Sequence, residues 1–194
     1  MTKLIFKMIL IFTVFFSVEA KSNEVSIGDV NSKVTIKVFS SLTCPACANF
    51  HSKIFYQIKE EFIDKGLVRF EHHPFPLDLA ALNAEIIVRC HVDNLKKFEL
   101  LGKIYEKQKL WAVGSDINKI NNSIKKIGLE SDLKIKDMDN CLKDEKKQDE
   151  ILNQRIDAQK KYEIGSTPTI FINEKKYKGK VEYSEFKKVL EKNL

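Results

Sequence analysis

Two cysteines held two residues apart, in Cys44-Pro45-Ala46-Cys47, follow the apolar run Val34-Thr35-Ile36-Lys37-Val38-Phe39 and open a stretch of helical period from Pro45 to about Asp64. A strand must therefore run straight into a helix whose first turn carries both thiols. Such a pair can close a small disulfide and reopen it by thiol exchange, which is redox chemistry. Proline suits the first helical position, where its missing N–H would have no intrahelical partner, so Pro45 puts Cys44 at or next to the N-cap. Unpaired N–H groups and the helix dipole favour negative charge there, which lowers a thiol pKa from about 8.5 into the range of roughly 3.5–7.5. Cys44 is the expected nucleophile, and Cys47, one turn into the helix, the expected resolving thiol.

A C-x-x-C pair is also half of a zinc site, which needs two further ligands in tetrahedral geometry. No second C-x-x-C exists, and Cys90 and Cys141 stand alone. His72 and His73 are adjacent in an expected strand and point to opposite faces, so both cannot bind one metal. No metal or organic cofactor is expected. An inert structural disulfide is the other alternative, although loops this short are usually strained and reducible.

The first twenty residues read as an export signal. Lys3 and Lys7 flank the start of an apolar run from Met8 to Val18, and Ser17-Val18-Glu19-Ala20 ends in a small residue suited to cleavage after Ala20. The run is short for a permanent anchor, which takes about twenty apolar residues, and Lys7 interrupts it. Removing it leaves a net charge of +5 out of +6, so the basic balance belongs to the mature chain, 21–194. Its charges are interspersed, as in Lys143-Asp144-Glu145-Lys146-Lys147, which describes solvated faces rather than a nucleic-acid stripe. No Gly/Ser-rich linker or repeat divides the remaining residues, so one domain is the economical reading.

Lys65-Gly66 offers a helix stop, and Leu67 to His72 reads as a second strand ending before Pro74. From about 79 to 162 the pattern is helical, with Ala80, Ala84, Ile87, Val88 and His91 on one face, then Phe98, Leu101 and Tyr105, then Ile117, Ile120, Ile124 and Ile127. Thr169 to Asn173 followed by Glu174 to Tyr177 reads as a strand, a turn and a return strand, and Val181 to Leu194 as a closing helix with Phe186, Val189 and Leu190 inward.

This order, an α/β chain with a helical insertion between a β-α-β half and a C-terminal β-β-α half, resembles the thioredoxin fold of the DsbA-like thiol:disulfide oxidoreductases. Two motifs carry the resemblance: Cys44-Pro45-Ala46-Cys47, and Gly165-Ser166-Thr167-Pro168-Thr169, which looks like the family's cis-proline loop. The resemblance implies that Pro168 packs against the active-site cysteines and that the backbone of Thr167 pairs with an extended substrate segment by β-augmentation. It also implies reduced or unfolded exported polypeptides as substrates and a membrane quinone-linked reoxidising partner of the DsbB type. With Cys44 and Cys47 pairing locally, Cys90 and Cys141 are left either to bridge or to stay as two buried thiols. A second, non-catalytic disulfide Cys90–Cys141 is the expectation, and some members of the family have one.

The chain departs from the best-known DsbA pattern at Ala46, where that pattern has histidine. Its absence suggests a couple less oxidising than about −120 mV. Threonine before the cis-proline also occurs in isomerases and reductases of the superfamily. The resulting expectation is a periplasmic oxidase that introduces disulfides into exported proteins. An isomerase or reductase of the same fold is the nearest alternative, and a non-catalytic thioredoxin-fold chaperone or metal-binding module a more distant one. Only about a dozen residues, Lys21 to Lys33, lie between the cleavage site and the expected first strand, too few for the dimerisation segment of the isomerases, so a monomer is expected. His51, on the redox helix, reads as an exposed or hydrogen-bonded structural residue that could also interact with Cys47. Lys37 is left without a role, and Trp111 is assigned to the core or to a peptide groove.

Overall fold

The computed structural model describes residues 24–194. The expected signal, with its cleavage after Ala20, lies outside these residues. A five-stranded sheet of order β1-β3-β2-β4-β5 forms the centre: β1 (Val25–Ile27), β2 (Val34–Ser40), β3 (Val68–Pro74), β4 (Thr169–Ile172) and β5 (Lys175–Lys176). Parallel pairing of β2 with β3, Val38 opposite His72, is the β-α-β half, while β4 runs antiparallel to β2 with Phe39 opposite Thr169. Alternation along β2 sends Val34, Ile36, Val38 and Ser40 to one face and Thr35, Lys37 and Phe39 to the other.

The crossover begins with α1 (Pro45–Phe50) and continues without a break through a π-helical turn, His51–Phe55, a short α segment, Tyr56–Ile58, and a second π turn, Lys59–Ile63. Its inner stripe of Cys47, Phe50, His51, Ile54, Phe55, Ile58 and Phe62 is buried against the sheet. Burying Phe50, Ile54, Phe55 and Ile58 stabilises the docked helix by roughly 1.5–3 kcal/mol for each side chain. The insertion comprises α2 (Leu79–Val88), α3 (Asn94–Glu106), α4 (Gln108–Trp111), α5 (Ile117–Leu129), α6 (Ile135–Leu142) and α7 (Glu145–Tyr162), and α8 (Tyr183–Asn193) closes the chain. Side chains of Asp78, Asp93, Asp116 and Asp144 accept hydrogen bonds from first-turn N–H groups and fix where α2, α3, α5 and α7 begin.

Three details differ from the sequence reading. Strand β1 precedes the expected first strand and pairs antiparallel with the edge of β3, Val25 opposite His72. Gly28 ends it at φ +101°, where a Cβ would stand 2.4 Å from the Val68 carbonyl oxygen, so only glycine fits the turn. Strand β3 extends through His73 to Pro74, pairing Pro74 with Ser40; a proline can end a strand because it removes only one donor. The return strand is short, Lys175–Lys176, and α8 begins at Tyr183.

Candidate active site

Pro45 occupies the first turn of α1 and Cys44 its N-cap, with extended backbone angles of φ −76° and ψ 119° and no side-chain cap. The N–H groups that a capping side chain would satisfy are left facing the Cys44 sulfur. Across from it the Thr167–Pro168 peptide bond is cis, and the Cys44 thiol donates to the Thr167 carbonyl oxygen at 3.3 Å. Burial pushes the Cys44 thiol up, but the Thr167 side chain and the N–H groups of Cys47 and Ala46 outweigh it and lower the pKa. Cys47 behaves in the opposite sense: burial, reinforced by the charge of Cys44, pushes it far above the ordinary thiol range although the Ser41 backbone opposes this. The two sulfurs are free thiols, and their pKa values are pushed in opposite directions, Cys44 down and Cys47 up.

The loop in front of α1 is held from two sides. Gln108, buried on α4, donates through Nε2 to the carbonyls of Leu42 and Cys44 at 2.7 and 3.0 Å. On the other side Thr43 donates to Asp78 at 2.8 Å, and the Leu77 N–H donates to the Ser41 hydroxyl. Both clamps come from the helical insertion or its approach, so the insertion positions the thiols.

Beneath Cys47 lies a polar cluster that the sequence reading missed. The Tyr105 hydroxyl donates to Ser40 Oγ at 3.0 Å, Ser40 Oγ lies 3.1 Å from His72 Nδ1, and His72 Nε2 lies 2.9 Å from Glu85 Oε2. Arg89 donates to the other Glu85 oxygen at 2.9 Å. All five side chains are buried. Burial would raise the Glu85 carboxyl, yet the charges and hydrogen bonds of His72 and Arg89 win and hold it well below the usual carboxylate range. One sequence signal was available. Glu85 falls on the inner stripe of α2 with Ala81, Ala84 and Val88, and Arg89 follows four residues later, the spacing of a helix-face ion pair.

The remaining candidates are dispersed. His72 joins this cluster, whereas His73 lies on the opposite sheet face, stacked on Phe39 and bonded to Glu71. Lys37 is also on that far face, paired with Glu174 and 6.0 Å from the Tyr162 ring centroid, not beneath the thiols. Trp111 is buried, its indole N–H bonded to the Ile104 carbonyl. His51 is neither exposed nor bonded at Nε2, which has no hydrogen-bond partner in the protein. Cys90, just after α2, is bonded to Cys141 of α6, with Cα atoms 6.0 Å apart. Among the described residues no group of three or more His, Cys, Asp or Glu side chains is arranged to hold a metal ion.

The family model described as Thioredoxin matches residues 20–192. "Disulfide bond formation protein D" of Bacillus subtilis is 32% identical over 177 residues, covering 87% of this chain and 76% of that protein. A "putative protein-disulfide oxidoreductase" of Rickettsia bellii is 29% identical, and the match covers 84% of this chain but only 61% of that protein. The crystal structure of Wolbachia pipientis alpha-DsbA1 superposes with a TM-score of 0.81 at 28% identity, covering 88% of this chain and 90% of that one. Oxidised BdbD from Bacillus subtilis follows with a TM-score of 0.73 at 25% identity, covering 88% and 92%.

Proposed function

We infer that this chain, which belongs to the thioredoxin family and is a protein-disulfide oxidoreductase of the DsbA type, works as an oxidase that passes a disulfide from Cys44 and Cys47 to reduced proteins exported to the periplasm. The observation that carries the reading is the asymmetry of the two thiols. Cys44, lowered in pKa at the helix N-cap, is both the sulfur that reacts and a good leaving group, while Cys47 is buried behind it. A substrate thiolate attacks Cys44 of the oxidised pair and Cys47 leaves. A second substrate thiol then attacks the substrate sulfur of the mixed disulfide, and both active-site cysteines end reduced.

In this reading Thr167 and Pro168 form the substrate platform. The edge they present next to Cys44 suits an extended chain bound through its backbone, which reads main chain and accepts many sequences. Residues 1–20 are the export signal and 21–194 the mature domain. A membrane partner of the DsbB type restores the disulfide, the mature protein acts as a monomer, and Cys90–Cys141 is a structural bridge.

The test is equilibration of mature protein with graded glutathione buffers, with the Cys44–Cys47 pair quantified by alkylation and peptide mass so that Cys90 and Cys141 are counted separately. A potential near or above about −180 mV is expected. One approaching about −270 mV would assign the chain to reduction instead.

A further inference from the structure

Ser40, Cys47, His51, His72 and Tyr105 all line one small cavity of about 10 Å³ under the resolving thiol. That is room for about one water molecule, in a site that offers it several polar partners. Glu85, held ionised, can only accept, so the 2.9 Å contact keeps a proton on His72 Nε2, and whenever the ring is neutral its Nδ1 is the acceptor for the Ser40 hydroxyl. Tyr105 in turn donates to Ser40. With a neutral His72 every hydroxyl donates away from Cys47 and toward His72, the orientation in which a proton delivered at Tyr105 would emerge on His72.

We propose that Tyr105, Ser40 and His72, backed by Glu85, relay the proton that Cys47 gives up when it becomes a thiolate. The inference rests on the disulfide chemistry of this pair and not on its direction. When Cys44 carries a mixed disulfide, Cys47 gives its proton to a water held in the cavity, which passes one of its own protons to Tyr105. The tyrosine proton moves to Ser40 and the serine proton to His72 Nδ1, giving an imidazolium held by Glu85. Cys47 attacks Cys44, a new sulfur–sulfur bond forms, the bond from Cys44 to the other sulfur breaks, and that sulfur leaves with the electron pair. Opening of the disulfide by a substrate thiolate returns the proton along the same path in reverse.

Two histidines face the cavity, and geometry selects between them. His72 has a carboxylate at 2.9 Å to stabilise its cation, whereas His51, in the π turn that follows α1, has no acidic partner and no bonded Nε2. The charged or titratable groups around His72 and Cys47 are Glu85 from α2 and Arg89 at its C-cap, Tyr105 from α3, and Cys44 and His51 from the redox helix. Of these only Glu85 supplies negative charge in contact with an imidazole. Ser40, His72 and Glu85 act through the thiol rather than on substrate, and are positioning residues.

The test reacts reduced mature protein with excess glutathione disulfide, quenches with acid, and follows the Cys44–glutathione mixed disulfide and the Cys44–Cys47 disulfide by mass. In the native chain the mixed disulfide is expected not to accumulate. In Ser40→Ala, and separately in Tyr105→Phe, ring closure is expected to slow roughly 10²-fold, the range of a lost acid–base contribution, so that the mixed disulfide builds up. Alkylation of Cys44 by iodoacetamide should proceed at the native rate in both, and Ser40→Thr, which keeps the hydroxyl, should close as fast as the native chain. Closure at the native rate in Ser40→Ala would overturn the relay. A parallel change in Cys44 alkylation would also overturn it, by showing that the cluster merely supports α1. Failure of the native chain to form any Cys44 disulfide would sink the redox function itself, a separate outcome.

Discussion

His51 sits one turn beyond Cys47 on the buried stripe of the redox helix, stacked on Phe55 with ring centroids 4.5 Å apart and tilted against Tyr105 at 5.1 Å. Burial, with a smaller contribution from His72, lowers its pKa from 6.5 to about 3. Between those values the unfolded chain binds a proton that the folded chain does not, so stability rises with pH. His51 therefore costs the fold nothing above about pH 6.5 and progressively more as the pH falls toward 3, at up to about 1.4 kcal/mol per pH unit. His91, also lowered chiefly by burial, acts in the same direction as the pH falls below 6.5. Glu85 adds its own loss only below the ordinary carboxylate value of 4.5. Urea unfolding at pH 7 and pH 5 is expected to show the native chain losing about 2 kcal/mol more than His51→Phe does. Equal losses would mean that His51 is already protonated in the folded state. The burial itself was readable, because Cys47, His51, Ile54 and Ile58 keep a helical period, but a histidine without a hydrogen-bond partner is rare enough that the sequence argues for the opposite.

At the scale of elements, what the sequence shows well is what local chemistry decides. Pro45 at the head of α1 and the aspartate caps before α2, α3, α5 and α7 are written in a few adjacent residues. The three residues of β1 are too few to display alternation, and they become a strand only because the edge of β3 offers unpaired backbone groups. The π turns in the redox helix are equally silent, since they are set by packing against the sheet and α3. The Cys90–Cys141 bond is an element-scale device: it ties the end of α2 to α6, fifty-one residues apart. Closing a loop of that length restricts the unfolded chain by about 4 kcal/mol in the chain-entropy account. A Cys90→Ala/Cys141→Ala double variant is expected to lose about 2–4 kcal/mol in chemical unfolding and to keep Cys44–Cys47 exchange with glutathione. Loss of exchange together with stability would show that the bridge also positions the clamp on Asp78.

Across the whole molecule, the insertion does more than the order of elements reveals. Sequence pattern places strand, redox helix, strand, helical block, hairpin and helix in line, yet it is silent on which helices touch the active-site loop. The clamps from Gln108 and Asp78 and the links from Tyr105 through Ser40 and His72 to Glu85 are contacts between residues 13 to 66 positions apart, beyond the reach of periodicity. Those clamps also fix what surrounds the reactive thiol. Leu77 and Leu79 flank Asp78 and are 50% and 57% exposed, while Leu110, two residues from Gln108, is 74% exposed. With an unfolded polypeptide as the proposed substrate, large apolar side chains on both supports of one loop would give it somewhere to rest its own apolar residues while its thiol reaches Cys44. Folded substrates would gain nothing from them. Partial burial of one leucine by a bound chain is worth about 1 kcal/mol, so Leu77→Ser and Leu110→Ser should each raise KM for a reduced, unfolded protein roughly fivefold. Oxidation of a small dithiol, which spans neither support, should be unchanged. If both substrates slowed equally, the leucines would be acting on the loop geometry and not on the bound chain.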